Sequence, residues 1–182
     1  PARRSMAVEK AWHAFQSLDM GNHALALPPA VWSLFQPVTL EGFSNVFNCH
    51  DGPFCSPFPE VEQCFGAVGN FFSTPMRYGV FWINPPYTNE VMSAAMDKIE
   101  RDLKAGGQAT FWVCFPAWTD APAYEAAQKS AYLRRTWPLE HVVFYSYEFQ
   151  ENKRVNCILM VLSNTEVDLE RCESVVKQWS AL

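Results

Sequence analysis

No run of about 18 apolar residues occurs in this chain, so it offers no helix able to cross a membrane. Positive charge is scarce as well. Fourteen Lys and Arg stand against 19 Asp and Glu, giving a net charge of −5 and a pI near 5.3. A broad phosphate-binding face needs the opposite balance. If the chain engages nucleic acid, a protein partner or an accessory domain supplies the grip. Cys49, Cys55, Cys64, Cys114, Cys157 and Cys172 form no Cys-x-x-Cys pair, and His13, His23, His50 and His141 are scattered. That argues against a closed zinc site, and no metal is expected. A Cys49–Cys55 disulfide stays open. Repeats, low-complexity tracts and a Gly-x-Gly-x-x-Gly nucleotide fingerprint are also missing.

What is present is apolar and aromatic. Of 182 residues 49% are hydrophobic, with 14 Phe, seven Trp and six Tyr, enough for one ordinary domain with a sizeable core. Cys114 and Cys157 sit in apolar runs and read as reduced core thiols. That suits an intracellular protein, with nucleus, cytoplasm and organelle equally open.

The chain is organised around Gly79–Leu103. Val80–Ile83 is short and wholly apolar, as in a strand buried on both faces. Asn84-Pro85-Pro86-Tyr87 stops it, because proline cannot donate to a sheet ladder. Thr88 is placed to cap a helix on which Met92, Ala95, Met96, Ile99 and Leu103 share one side. Strand, rigid turn and helix put the turn at the carboxyl edge of an α/β sheet, where such sheets bind ligands.

The turn offers specific chemistry. An adenine or cytosine amino group is a poor nucleophile, since its lone pair is delocalised into the ring. The Asn84 amide oxygen and a proline carbonyl can accept its protons and aim the nitrogen at an electrophilic methyl. Tyr87 offers a face on which the base could stack. The four residues resemble the catalytic tetrapeptide of amino-group methyltransferases that use S-adenosylmethionine; the plain alternative is a Pro-Pro turn joining strand to helix.

Elsewhere, Met6–Leu18 reads as a helix with Ala11, Phe15 and Leu18 on one side. Asp19–Pro29 reads as a loop, with Pro28-Pro29 opening a short helix through Phe35. Phe43–Cys49 is expected as the first sheet strand, Asp51–Pro59 as a loop, and Phe65–Phe72 as a tight turn in which Phe71 and Phe72 start or form a strand. Ala109–Phe115 is the next buried strand, and Asp120 is placed to cap a helix from Ala121 to Tyr132. His141–Phe149 and Arg154–Leu162 read as an antiparallel hairpin. The last helix is expected to open at Thr165, with Asp168 in the capping box. The three central strands end near Asn48, at Ile83 and at Phe115.

Leu27–Phe35, Phe43–Asn48, Cys55–Phe72 and Gly79–Met92 together resemble the catalytic domain of the phosphorylated-CTD-interacting-factor family, the cap-specific adenosine N6-methyltransferases of messenger RNA. Phe115–Trp118 continues the likeness, which covers roughly residues 25–163. It implies a Rossmann-like methyltransferase fold, a mostly parallel α/β sheet closed by the C-terminal hairpin. Residues 1–24 would be an N-terminal helical extension and 25–182 the methyltransferase-like domain. It also implies S-adenosylmethionine as cofactor and adenosine-containing RNA, cap-proximal in the family, as substrate. Asn84, Pro85, Pro86 and Tyr87 would hold the target adenine; the family usually has phenylalanine at the last of these. Phe43, Ser44, Asn45 and Asn48 would replace the glycine-rich cofactor loop, and Gly66, Gly69 and Phe71 would lie beside the cofactor. Trp118 and Glu90 would face the substrate.

The chain departs from the family pattern at Ser44–Phe47, and Ala117 stands where an acid precedes the tryptophan. Those departures keep two other classes open. One is a catalytically silent methyltransferase fold serving as a structural subunit of a large assembly. The other is a DNA adenine methyltransferase, because the turn chemistry does not read the sugar.

Overall fold

A computed structural model describes residues 2–17, 25–146 and 150–182, without the side chains of residues 2–5 and 15. The side chain of Phe15, Leu18, most of the Asp19–Pro29 loop and the strand end at Phe149 therefore lie outside what is described. The first helix, α1, is Ala2–Ser17; β1 (Leu25–Ala26) falls where a loop is expected, and α2 (Pro29–Trp32) runs into a 3-10 turn at Ser33–Phe35. Then come β2 (Leu40–Glu41), β3 (Phe54–Cys55), α3 (Pro59–Glu62), a 3-10 turn at Gln63–Phe65, and β4 (Ala67–Gly69). The second half is β5 (Tyr78–Ile83), α4 (Asn89–Lys104), β6 (Gln108–Pro116), α5 (Pro122–Lys129), β7 (Leu133–Ser146), β8 (Glu151–Ser163) and α6 (Leu169–Ser180).

The eight strands among the described residues form one sheet in the order β1-β7-β8-β6-β5-β2-β3-β4. The pairs from β6 through β5, β2 and β3 to β4 are parallel. The long β8 is antiparallel to β6 on one side and to β7 on the other, so β7 runs the same way as β6. The result is an α/β, mostly parallel mixed sheet compatible with a Rossmann-like fold. The chain builds outward from β2 to β4, then crosses back to add β5 on the opposite side of β2. That reversal opens a crevice at the carboxyl ends of β2 and β5.

Sheet burial on both faces follows from an unbroken apolar run with a two-residue period. Phe81, Ile83, Phe111, Val113 and Phe115 pack toward α4 and α5, whereas Trp82, Trp112 and Cys114 pack toward α2 and α6. Thr88 caps α4, its side chain accepting from Val91 N at 3.3 Å, and Met92, Ala95, Met96, Ile99 and Leu103 are all buried. Each of the four larger side chains contributes roughly 1.5–3 kcal/mol if fully removed from water, and Ala95 less. On α6 the buried set is Cys172, Val175, Val176 and Trp179, with Val167 partly covered just before it.

Several boundaries differ from expectation. Phe43–Cys49 is a chain of bends and turns, and the first central strand is the two-residue β2 before it. Asn45 and Asn48 bond local backbone amides instead of leaving them to a ladder, which is why β-branched and aromatic content does not prevail there. Phe71 and Phe72 lie in a turn after β4. The N-cap of α5 is Ala121, with no side-chain cap, and that of α6 is Asp168, whose carboxylate accepts from Arg171 N at 2.9 Å. The six cysteines are free thiols, so Cys49 and Cys55 are not bridged. No described helix is long and apolar enough to cross a membrane, and no group of metal-binding side chains occurs among the described residues.

Candidate functional site

The carboxyl ends of β2, β3, β4 and β5 open into a cleft of about 400 Å³, a size that suits a nucleoside-scale ligand. The segment after β2 contributes Gly42, Phe43, Ser44, Asn45 and Asn48. Cys55, Ser56 and Pro57 come from the exit of β3, and Asn70, Phe71 and Phe72 from the exit of β4. The exit of β5 adds Asn84, Pro86, Thr88 and Val91, and Leu25 of β1 closes the wall. Among the described residues no charged side chain lines it.

Local hydrogen bonds hold the first wall. Asn48 Oδ1 accepts from the Ser44 hydroxyl at 3.0 Å and from Asn45 N at 2.8 Å, while Asn45 Oδ1 accepts from Phe47 N at 2.8 Å. Ser44, Asn45 and Asn48 are buried, yet each presents an edge to the cleft. Beneath them Glu62, fully buried, accepts from Val46 N at 3.2 Å, and its second carboxylate oxygen has no partner. Burial raises its carboxyl above the usual range, opposed by the nearby Ser56 side chain and the Val46 amide. Gly42 is required by close approach: a Cβ there would stand 2.6 Å from Ile83 Cδ1 and 3.1 Å from the Phe71 ring.

The second wall is aromatic. Phe43 and Phe71 have centroids 4.3 Å apart, and Phe72 meets both edge-on. Lys98, buried on α4, places its ammonium 4.8 Å from the Phe71 centroid and is neutralised by Asp102, which also accepts from Met76 N.

At the exit of β5 the Asn84 carboxamide is held at both ends. Its Nδ2 donates to the Leu25 carbonyl at 3.3 Å, and its Oδ1 accepts from the Tyr87 hydroxyl at 3.0 Å. One lone pair of Oδ1 is thus occupied and the other is free to accept. Burial pushes the Tyr87 phenol well above its ordinary value, with Cys114 and Cys157 adding to the shift, so Tyr87 acts there as a donor and not as a base.

Of the residues singled out in the sequence, Phe43, Ser44, Asn45, Asn48, Phe71, Asn84 and Pro86 meet at this cleft. Pro85 is buried behind it, and Tyr87 stands behind Asn84. Gly66 ends a 3-10 turn at φ +111°, while Gly69 accepts from Ser56 N and leaves no room for a Cβ beside Thr74; both shape the wall from outside. Trp118 is exposed after β6, and Glu90 is exposed in the first turn of α4; neither lines the cleft. Leu25, Ser56 and Asn70 were not singled out in the sequence: Ser56 and Asn70 lie within the Cys55–Phe72 stretch that carries the family resemblance, but the sheet order brings all three to the cleft. Glu41-Gly42, an acid and a glycine, could have marked the true exit of β2.

A family model described as Phosphorylated CTD interacting factor 1 WW domain matches residues 10–150. The chain belongs to that family. Within this phosphorylated-CTD-interacting-factor member, the matched stretch runs from α1 through β7 and includes every residue of the cleft. A human protein named mRNA (2'-O-methyladenosine-N(6)-)-methyltransferase is 31% identical over 86 residues. The mouse protein of the same name is 30% identical over 86 residues. Each alignment covers 47% of this chain but 12% of the relative, so the similarity reaches a small part of those proteins.

Proposed function

We propose that this chain is the catalytic core of an S-adenosylmethionine-dependent adenine N6-methyltransferase acting on RNA. The observation that carries this reading is the Asn84 carboxamide, fixed at the carboxyl end of a central strand with an open acceptor position and Pro85-Pro86 beside it. An amide oxygen and a neighbouring backbone carbonyl, both preorganised, are what an aromatic amine needs to recover its lone pair for attack. The strand order supports a methyltransferase fold: the reversed last strand inserts between β6 and β7 of an otherwise doubly wound sheet. The relatives' names support RNA as the polymer and adenosine as the base.

The cleft fits S-adenosylmethionine in its chemistry. A dinucleotide would bring phosphates, and no described cation lines the walls to meet them. An adenosine with a sulfonium finds polar edges at Ser44, Asn45, Asn48, Ser56 and Asn70 and electron-rich ring faces at Phe43, Phe71 and Phe72. When bound, the cofactor supplies the electrophilic methyl. The protein's own part is to hold the amino group at Asn84, to keep Tyr87 protonated behind it, and to line the cleft with apolar rings. The net charge of −5 supports a protein partner or further domain that carries the RNA, and an intracellular setting suits an RNA substrate.

A structural-subunit reading is favoured by one observation: Met6, Val8 and Trp12 on α1 are exposed. Single-turnover methyl transfer to capped and uncapped adenosine RNA, with adenine DNA in parallel, separates these readings. Transfer to RNA supports the proposal, transfer only to DNA replaces the substrate, and none with natural partners present favours the subunit.

A further inference from the structure

His50 takes no part in lining the cleft, yet every edge of its ring is committed. Nδ1 lies 3.2 Å from Glu41 Oε2 and 3.3 Å from Oε1, and Nε2 lies 2.7 Å from the Leu27 carbonyl. Its own backbone N–H donates to Glu41 Oε2 at 3.2 Å. The Trp32 ring stacks on the imidazole with centroids 4.1 Å apart and planes 11° off parallel. Leu27 and Trp32 flank the Pro28-Pro29 entry to α2, so one ring clamps both sides of that entry.

The clamp bears on the site through two residues of backbone. Leu25 supplies the carbonyl that holds Asn84 Nδ2, and Leu27 supplies the one that holds His50. Among the described residues β1 is two residues long and pairs with β7 only at Leu25–Ser146 and Ala26–Tyr145. A segment tied by so short a ladder needs a second anchor to hold a carbonyl in place. We propose that His50 is a positioning residue for Asn84, acting through the Leu25–Leu27 segment. This inference rests on the methyl-transfer reading for its catalytic consequence, not for the coupling itself.

The chemistry of the ring gives the clamp a protonation state. An imidazolium donates from both nitrogens, satisfying Glu41 and Leu27 O together. A neutral ring donates once, and its bare lone pair then faces either a carboxylate or a carbonyl. Among the described residues the charged groups facing it are Glu41 from β2 and Asp51 from its own loop; α2 presents the Trp32 ring, and the neighbouring Cys49 thiol, pushed up to about 11 mainly by burial and then by Glu41, stays neutral. Burial lowers the His50 value, but the hydrogen bonds and charges outweigh it, so the ring titrates above 6.5.

The direct test is the Asn84 side-chain amide pair in nitrogen–proton spectra of the full chain, assigned by its loss in Asn84→Asp. The wild-type pair is expected to move with the same midpoint as the His50 ring, and to shift and lose its pH dependence in His50→Leu. His50→Gln, which keeps a donor for Leu27 O, should restore much of the wild-type position. If His50→Leu does not fold, the wild-type titration and the glutamine variant carry the comparison. An Asn84 pair that ignores both the ring's titration and both substitutions overturns the proposal. In methyl transfer, kcat is expected to fall as pH rises through the ring's midpoint. His50→Leu should lower it by about tenfold, less than the ~100-fold that a 1 Å misplacement can cost, because β7 still pairs with β1. Spectral coupling without methyl transfer would leave the clamp standing and remove the enzyme reading; methyl transfer without coupling would do the reverse.

Discussion

The Tyr87 hydroxyl donates to Asn84 Oδ1 at 3.0 Å, so the residue that closes the turn also aims the amide that opens it. Tyr87 lies behind Asn84, with its phenol enclosed beside Cys114, and its hydroxyl is a brace. Tyr87→Phe keeps the ring and removes one buried hydrogen bond. It is expected to lower stability by about 1 kcal/mol and methyl transfer by less than about tenfold. Tyr87→Ala also empties the space beside Cys114 and is expected to cost several-fold more in both. Urea melts and single-turnover rates on the two variants check the order.

Asn48 is the hub of the wall after β2, accepting from both Ser44 and Asn45. Asn48→Ala leaves those two donors unpaired in a buried place, a loss of roughly 1–3 kcal/mol. Calorimetry should show weakened S-adenosylmethionine binding in Asn48→Ala and recovery in Asn48→Asp, which keeps the acceptor. Equal binding in wild type and Asn48→Ala would remove this wall from the cofactor site.

Glu62 gives a pH signature. Its folded carboxyl is raised above 4.5, chiefly by burial, so the folded state holds a proton that the unfolded chain has released. Stability therefore falls as pH climbs from about 4.5 through the raised value, and is not regained above it. Glu62→Gln should flatten that slope while its side-chain oxygen still accepts from Val46 N. Urea unfolding at several pH values tests this, and an unchanged slope in the variant would refute the assignment.

The strand–turn–helix from Val80 to Leu103 was legible because three independent signals coincide there: an apolar run, a Pro-Pro stop and a capped helix with one apolar face. The hairpin was legible for the same kind of reason, although β7 begins at Leu133, before Arg134, Arg135 and Pro138. Pro138 pairs with Ile158 of β8 and is tolerated because, among the described residues, β1 covers the other edge of β7 only at Tyr145 and Ser146, leaving that edge unpaired beside the proline. The short strands were not legible. Two residues such as Leu40-Glu41 or Phe54-Cys55 are too few to show a period, and only the parallel neighbours on either side make them strands. The cleft was half legible: Phe43–Asn48 and Asn84–Tyr87 carry motif chemistry, whereas Leu25 arrives through topology alone and Asn70 was marked only as part of the longer Cys55–Phe72 stretch.

Asn84→Ala tests the central claim most directly, in single-turnover methyl transfer to adenosine RNA with thermal melts of each protein. Losing a preorganised contact to the developing charge can cost roughly 3–4 kcal/mol, or about 100- to 1,000-fold in rate. The account predicts a folded Asn84→Ala protein that still binds S-adenosylmethionine and transfers methyl at least about 100-fold more slowly than wild type. A folded Asn84→Ala protein that transfers methyl as fast as wild type would contradict it.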